Sequence, residues 1–191
     1  MSFLIRPINY NDFDQFISVA HASGAGLTTL PKDPTMLEKK IHDSMRAFET
    51  PSETMVDHFL FILEDLETKS VVGTSGLVSH IGIEQPFYTL RMEREKHRSE
   101  SVGIESDLRL LKPISIRNGP SEMCTLFLLP EFRKGKLGRL LSLSRFLFMA
   151  AFPERFDEEV IAEMRGVVSP DGYSPFYQHV GRHFFNMDFQ T

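Results

Sequence analysis

The sequence predicts an α+β protein, and three observations carry that expectation. Residues 124–129, CTLFLL, form an apolar run short enough for a buried strand and stopped by Pro130. A basic, glycine-containing turn follows at 133–139, and after it a Leu-, Phe-, Met- and Ala-rich run long enough for a buried helix. Ahead of this unit, strand, helix and hairpin patterns follow one another as β-α-α-β-β.

Taken in order, FLIRPI at 3–8 reads as the first strand, closed by Pro7 and the turn residues Asn9 and Asn11. Asp12 is placed to cap a helix whose Phe13, Phe16, Ile17 and Ala20 share one face. Residues 23–26, SGAG, end it, and 27–31, LTTLP, read as an irregular loop bordering a site. Asp33-Pro34 opens a second helix, with Leu37, Ile41, Met45 and Phe48 in register, before a polar connection at 49–57. FLFIL at 59–63 is a strongly apolar strand, and 71–83 is its hairpin partner. Residues 82–119 resist assignment: Arg91, Arg94, Lys96 and Arg98 alternate with Glu93, Glu95 and Glu100, as on a solvated face. VIAEM at 160–164 supplies a further strand, and 174–180 a last short helix.

Composition sets outer bounds. At 191 residues the chain is expected to be a single domain over 1–191, with 41% hydrophobic and 25% charged residues, the balance of a soluble globular protein. The net charge of −5 argues against a sequence-independent nucleic-acid surface. One cysteine, Cys124, rules out an intrachain disulfide and fits a reducing cytoplasm. The N-terminal stretch acquires acids within a few residues, unlike a signal peptide or a membrane span, so no membrane association is expected. Seventeen Phe against four Tyr and no Trp point to an apolar interior.

The basic turn is the part of the chain that calls for a ligand. Arg133, Lys134, Lys136 and Arg139 fall within seven residues of a chain that is acidic overall. Strand, basic turn and helix together present backbone N–H groups and a positive helix end to an anion. The turn is not a P-loop, which requires Gly at Pro130 and Ser or Thr at Leu137, nor a G-x-G-x-x-G fingerprint. It resembles the R-x-x-G-x-G turn of the GCN5-related N-acetyltransferases, with Arg133 at the Arg, Gly138 at the last Gly, Lys136 at the first Gly and Gly135 one residue early. Near the C-terminus, 176–185 resembles the F-Y-x-x-x-G-F segment of the same class, and the element order β-α-α-β-β-β-α-β-α-β is that of its fold. The resemblance implies a mixed, mostly antiparallel central sheet flanked by helices, and coenzyme A as ligand.

A narrower likeness runs from end to end. SGAGLTTLP (23–31), FILED (61–65), VVGTSG (71–76), PFY (86–88), SEMCTLFLLP (121–130), SRFLFMAAFP (144–153), VIAEMRGV (160–167) and GRHFFNMDF (181–189) follow one another. The set resembles the arginine N-succinyltransferase family. That family transfers succinyl from succinyl-CoA to the α-amine of L-arginine in arginine catabolism, and related members also use ornithine. Its chains are longer, so the resemblance covers an N-terminal half. The family usually has Gly at Lys136 and Trp at Tyr177. The alternative to an enzyme is a catalytically silent half that binds CoA or a partner chain.

Acyl transfer from a thioester to an amine needs a neutral amine, donors for the tetrahedral oxyanion and a proton or positive field for the thiolate. On the resemblance, backbone N–H groups of Phe127, Leu128 and Leu129 supply the donors. Arg133, Lys134, Gly135, Lys136 and Gly138 hold the pyrophosphate, and Arg139 contacts the terminal phosphate. Tyr177 is the candidate acid for the thiolate, against the alternative of a core tyrosine with a satisfied hydroxyl; Tyr173 is a weaker candidate. Glu163, a lone acid in an apolar strand, either receives the substrate amine or guanidinium or pairs with Arg165. Glu122 is a candidate base acting through water. On the same resemblance His97 stands near the acyl carboxylate, against the alternative of a loop histidine with no task, and Arg91 or Arg165 binds succinate bidentately, against a solvated or structural ion pair. Direct attack is expected, with no covalent enzyme intermediate, no resident cofactor and no metal. Cys124 reads as core. The partner is a second copy or a complementary C-terminal half, since an apolar face left uncovered favours association.

Overall fold

The structure, a computed structural model, describes residues 2–24, 27–50, 56–164, 166–169 and 171–189. Its centre is a five-stranded sheet built from β1 (Phe3–Pro7), β2 (His58–Asp65), β3 (Ser70–Val78), β6 (Ser121–Leu128) and β7 (Val160–Ile161), in that spatial order. Neighbours pair antiparallel except β6 and β7, which are parallel. The sheet is thus mixed and mostly antiparallel, as the resemblance implied.

Two helices precede β2. In α1 (Phe13–Ala22), Phe16, Val19 and Ala20 are buried; in α2 (Pro34–Glu49), Leu37, Ile41, Ser44 and Ala47 are. Asp33 caps α2 through Met36 N at 3.0 Å with Pro34 at the first turn, as a helix start requires. Asp12 takes a different part from the cap the sequence suggested. Its carboxylate receives both terminal nitrogens of Arg6, at 2.8 and 2.7 Å, and closes a capping box with Asn9 one turn earlier. A buried carboxylate gains more from a bidentate guanidinium than from one amide. The Arg6 guanidinium, which Glu64 also bonds at 2.7 Å, is held well above its ordinary pKa by Asp12.

The phenylalanines do build the interior. Phe48, Phe59, Phe61, Phe148 and Phe156 meet edge-on or tilted at centroid distances of 4.9–6.0 Å between α2, β2 and α3 (Leu137–Ala151). A second cluster of Leu63, Val72, Leu128 and Leu141 packs the other end of α3 against β2, β3 and β6.

Three sequence expectations need correction. The region from 82 to 119 is a two-stranded ribbon, β4 (Phe87–Ser99) on β5 (Ile104–Ile116), with thirteen residue pairs forming a sheet of its own. The alternating charges are the two faces of strands exposed on both sides, which removes the apolar periodicity that marks a half-buried strand. The strand at 160–164 is two residues long and stops at Ile161. In α3, only Leu141 and Arg145 are buried, while Leu140, Leu143 and Leu147 lie exposed, Leu147 at 72%. The helix is therefore half-covered rather than buried. The last helix, α4 (Pro175–His179), starts on Ser174, whose hydroxyl accepts from Tyr177 N at 3.3 Å. No described helix is long and apolar enough to cross a membrane.

Candidate functional site

The site grows from one irregularity in β6. From Glu122 to Cys124 this strand pairs with Val78 to Gly76, and from Phe127 to Leu128 with Thr74 and Gly73. Between them two residues, Thr125 and Leu126, oppose the one residue Ser75, which is a β-bulge. Thr125 adopts φ 53°, a conformation that a β-branched residue takes only under constraint. The loop ahead of α2 supplies that constraint: Thr125 N donates to Thr29 Oγ1 at 3.1 Å, and Thr125 Oγ1 donates to Thr29 O at 3.3 Å. From the other side, Arg145 Nη1 donates to Cys124 O at 3.2 Å.

The bulge coincides with a parting of strands. β7 pairs with β6 only at Ser121 and Glu122, and beyond Ile161 the chain leaves the sheet. A cleft of about 600 Å³ opens there, lined by Glu122 to Leu126 of β6, Ala162 to Met164 after β7, Thr29 from the loop ahead of α2 and Arg145 of α3. The irregular loop at 27–31 thus borders a site, as its sequence suggested.

A second cleft, of about 440 Å³, lies at the other end of β6. Phe127, Leu128, Arg133, Lys134, Lys136 and Gly138 line it, six of the nine residues assigned to the cofactor from sequence, together with Leu126 and Leu137. Leu129 packs toward the core and Arg139 faces solvent. The turn is tight: Lys134 N donates to Phe132 O at 2.7 Å, and Gly135 and Lys136 stand at φ 61° and 65°. Lys136 thus holds a left-handed conformation that suits glycine, which gives a physical meaning to the family's Gly at this position. No side chain caps α3; Leu137 N is bonded to Lys134 O at 3.3 Å, and Gly138, in the first turn at the positive end of the helix dipole, lines the cleft. Arg133 reaches back, Nε to Leu128 O at 2.9 Å, and lies over the Phe127 ring at 5.5 Å.

Leu126 belongs to both clefts and joins them. It was missed in the sequence because one more leucine in an apolar run carries no signal of a bulge. The donor group expected at 127–129 needs the same revision. Leu129 N is already bonded to Val72 O at 2.9 Å, while the ladder opens one to two residues earlier.

Glu122 is buried in β6, and burial, with Glu163 adding to it, pushes its carboxyl pKa up. Glu163 is exposed, because the strand ends before it; the cost of burying a lone acid that the sequence raised does not arise. Its suggested partner Arg165 lies outside the described residues. Cys124 is a partly buried core thiol whose pKa burial raises, unfavourable for a nucleophile. Tyr177 is not among the residues lining either cleft. Its hydroxyl donates to Met187 O at 2.7 Å, and its ring packs on Phe189 and against Gly181, where a Cβ would stand 2.5 Å from Tyr177 Cδ2. The hydroxyl is thus bonded, while the side chain is half-buried and lies outside the core clusters. Tyr173, the weaker candidate, is likewise exposed away from both linings. Arg91 and His97 sit on the exposed ribbon; Arg91 opposes Lys112, and His97 Nε2 lies 3.3 Å from Glu95.

A mixed sheet with a basic turn ahead of a helix is the arrangement that the resemblance to the GCN5-related N-acetyltransferases implied, here with a bulged strand and a parted neighbour. Comparison with known proteins narrows this. A family model described as arginine N-succinyltransferase beta subunit matches residues 3–191. Arginine N-succinyltransferases of Escherichia coli O6:K15:H31 (strain 536 / UPEC) and Escherichia coli (strain K12 / DH10B) are each 39% identical over 97% of this chain and 54% of their own. The solved structure of arginine/ornithine succinyltransferase subunit AI from Pseudomonas aeruginosa matches with a TM-score of 0.91 at 32% identity, over 97% of this chain and 57% of that one. The chain belongs to the arginine N-succinyltransferase family. It spans about half the length of the curated relatives it matches.

Proposed function

We propose that this chain is the acyl-CoA-binding half of an arginine N-succinyltransferase and transfers succinyl from succinyl-CoA to the α-amine of L-arginine, or of ornithine. One observation carries the reading: the cleft lined by Arg133, Lys134 and Lys136 and the cleft lined by Glu122 and Glu163 share Leu126, beside the bulge of β6. A ligand with a phosphate end at the turn and an acyl end in the parting of β6 and β7 therefore brings its thioester to the one place where the strand ladder is broken.

Arg133, Lys134, Lys136 and the first amides of α3 hold the pyrophosphate. Gly135 keeps the crest of the turn open, and Arg139 reaches the terminal phosphate from the first turn of the helix. Glu122 and Glu163 face the acceptor, whose ammonium and guanidinium groups are cationic. With a pKa above the usual carboxylate range, Glu122 is a better proton acceptor than an exposed glutamate and frees the amine for attack. The C–N bond forms, the C–S bond breaks, and the departing thiolate takes up a proton.

The reaction belongs to the cytoplasm, where Cys124 stays reduced, and the exposed stripe of Leu140, Leu143 and Leu147 supports association with a partner. That partner is a second copy or a chain supplying the part of the relatives' length absent here. A second reading, CoA binding without chemistry, is supported by Tyr177, the candidate acid, whose hydroxyl bonds Met187 O and which lines neither cleft. Calorimetric titration with CoA and succinyl-CoA, followed by thiol release on adding L-arginine, tests both. Binding with arginine-dependent release is expected. Binding without release selects the second reading, and no binding overturns both.

A further inference from the structure

We infer that Arg145 is the receptor for the distal carboxylate of the acyl group and so sets the choice of a dicarboxylic acyl chain over a neutral one. The inference rests on the acyl-CoA reading above. Arg145 is 5% exposed, in the third turn of α3, and lines the cleft where β6 and β7 part. Among the described residues it is the only cation in that lining.

Its bonds leave it incomplete. Nε donates to Ser142 O at 3.3 Å, Nη1 to Cys124 O at 3.2 Å and Nη2 to Ser142 Oγ at 3.0 Å. Three of the five guanidinium N–H groups are used, which leaves one on each terminal nitrogen, the pair a carboxylate takes bidentately. All three acceptors are neutral, and among the described residues no carboxylate forms an ion pair with it, although Glu122 and Glu163 line the same cleft. An unpaired buried guanidinium is costly unless an anion completes it.

The position fits the chemistry. Arg145 holds the carbonyl of Cys124, the residue immediately before the bulge, so an acyl chain whose thioester lies at the bulge has its far end within the same small cleft. Arg91, the described alternative from sequence, lies on the ribbon, opposite Lys112 and outside this lining.

The test compares succinyl-CoA with butyryl-CoA, which has a methyl group where succinyl has its carboxylate, by calorimetry on the full chain. A charge-assisted pair predicts that the wild type binds succinyl-CoA about 10- to 100-fold more tightly. Arg145→Met is expected to abolish that preference, read as the ratio of succinyl-CoA to butyryl-CoA affinity so that any general loss from the Cys124 brace cancels. Arg145→Lys, which keeps the charge but not the fork, serves if the Met variant does not fold, and is expected to retain only part of the preference. Equal wild-type affinities, or a preference that survives both substitutions, overturn the inference and leave Arg145 as a brace for the Cys124 carbonyl. Absence of binding to every CoA species, free CoA included, overturns the acyl-CoA reading itself and this inference with it.

Discussion

The two edges of β6 behave differently. Toward β3 the strand is paired from Glu122 to Leu128 with one interruption, and behind that edge Leu63, Val72, Leu128 and Leu141 are buried. Toward β7 it pairs at two residues, and the side chains beyond are open, Met164 to 90%. The same strand thus closes the core on one edge and opens a cleft on the other. Buried packing is concentrated on the first edge, and the proposed function places the chemistry on the second, where the ladder ends early and a cleft opens.

The sharpest test of that division is Leu141→Ala, which empties a fully buried position between α3 and β3 and is expected to cost about 3 kcal/mol in denaturant unfolding. Leu147→Ala, one helix face away, is expected to change it by less than about 0.5 kcal/mol. Similar losses from the two would break the comparison. Next comes Thr29→Ala, which strips the acceptor from the buried Thr125 amide and is expected to cost about 1–2 kcal/mol while slowing thiol release. Unchanged release would mean the bulge does not need its tether.

Lys136→Gly works in the opposite direction. Relief of the left-handed conformation is expected to raise stability by about 1 kcal/mol, read as a higher denaturant midpoint. The smallest effect is a pH dependence at Glu122. Its pKa is raised in the folded state, so the native protein holds that proton longer than the unfolded chain does. The resulting stabilisation is complete below the ordinary glutamate pKa and is lost as pH rises through the raised one. Glu122→Gln does not titrate, so its stability relative to wild type is expected to improve across that window and then level off. A difference independent of pH would show that the carboxyl is not desolvated.

Much of this was legible beforehand. The strand, basic turn and helix around Arg133 to Gly138 announce themselves by local charge and by Gly135, and six of the nine residues expected there do line one cleft. The apolar runs at 59–63 and 71–78 mark the central strands because both faces are covered. The ribbon escaped detection for the reverse reason: two-sided exposure leaves no periodic pattern. Asp12 misled because an acid before a helix looks like a cap, and only the fold brings Arg6 to it.

By itself, the sequence determined the α+β class, the opening β-α-α-β-β order, the strand, basic turn and helix that follow, and the family, since each depends on residues near one another in the chain or on an ordered set of blocks; the ribbon was not foreseen, and the strand expected after the last helix is absent among the described residues. Tertiary structure alone decided the rest. The bulge at Thr125–Leu126 exists because β3 is one residue short opposite it and Thr29, from a distant loop, holds it. Glu122 is buried and Glu163 exposed because β7 ends at Ile161. Arg145, a cation in a run of Leu, Phe and Ser, becomes a site residue only where α3 turns it under a strand twenty-one residues away in sequence and leaves it with neutral partners. Pairing, burial and charge compensation are contacts between segments far apart in the chain, and local pattern does not encode them.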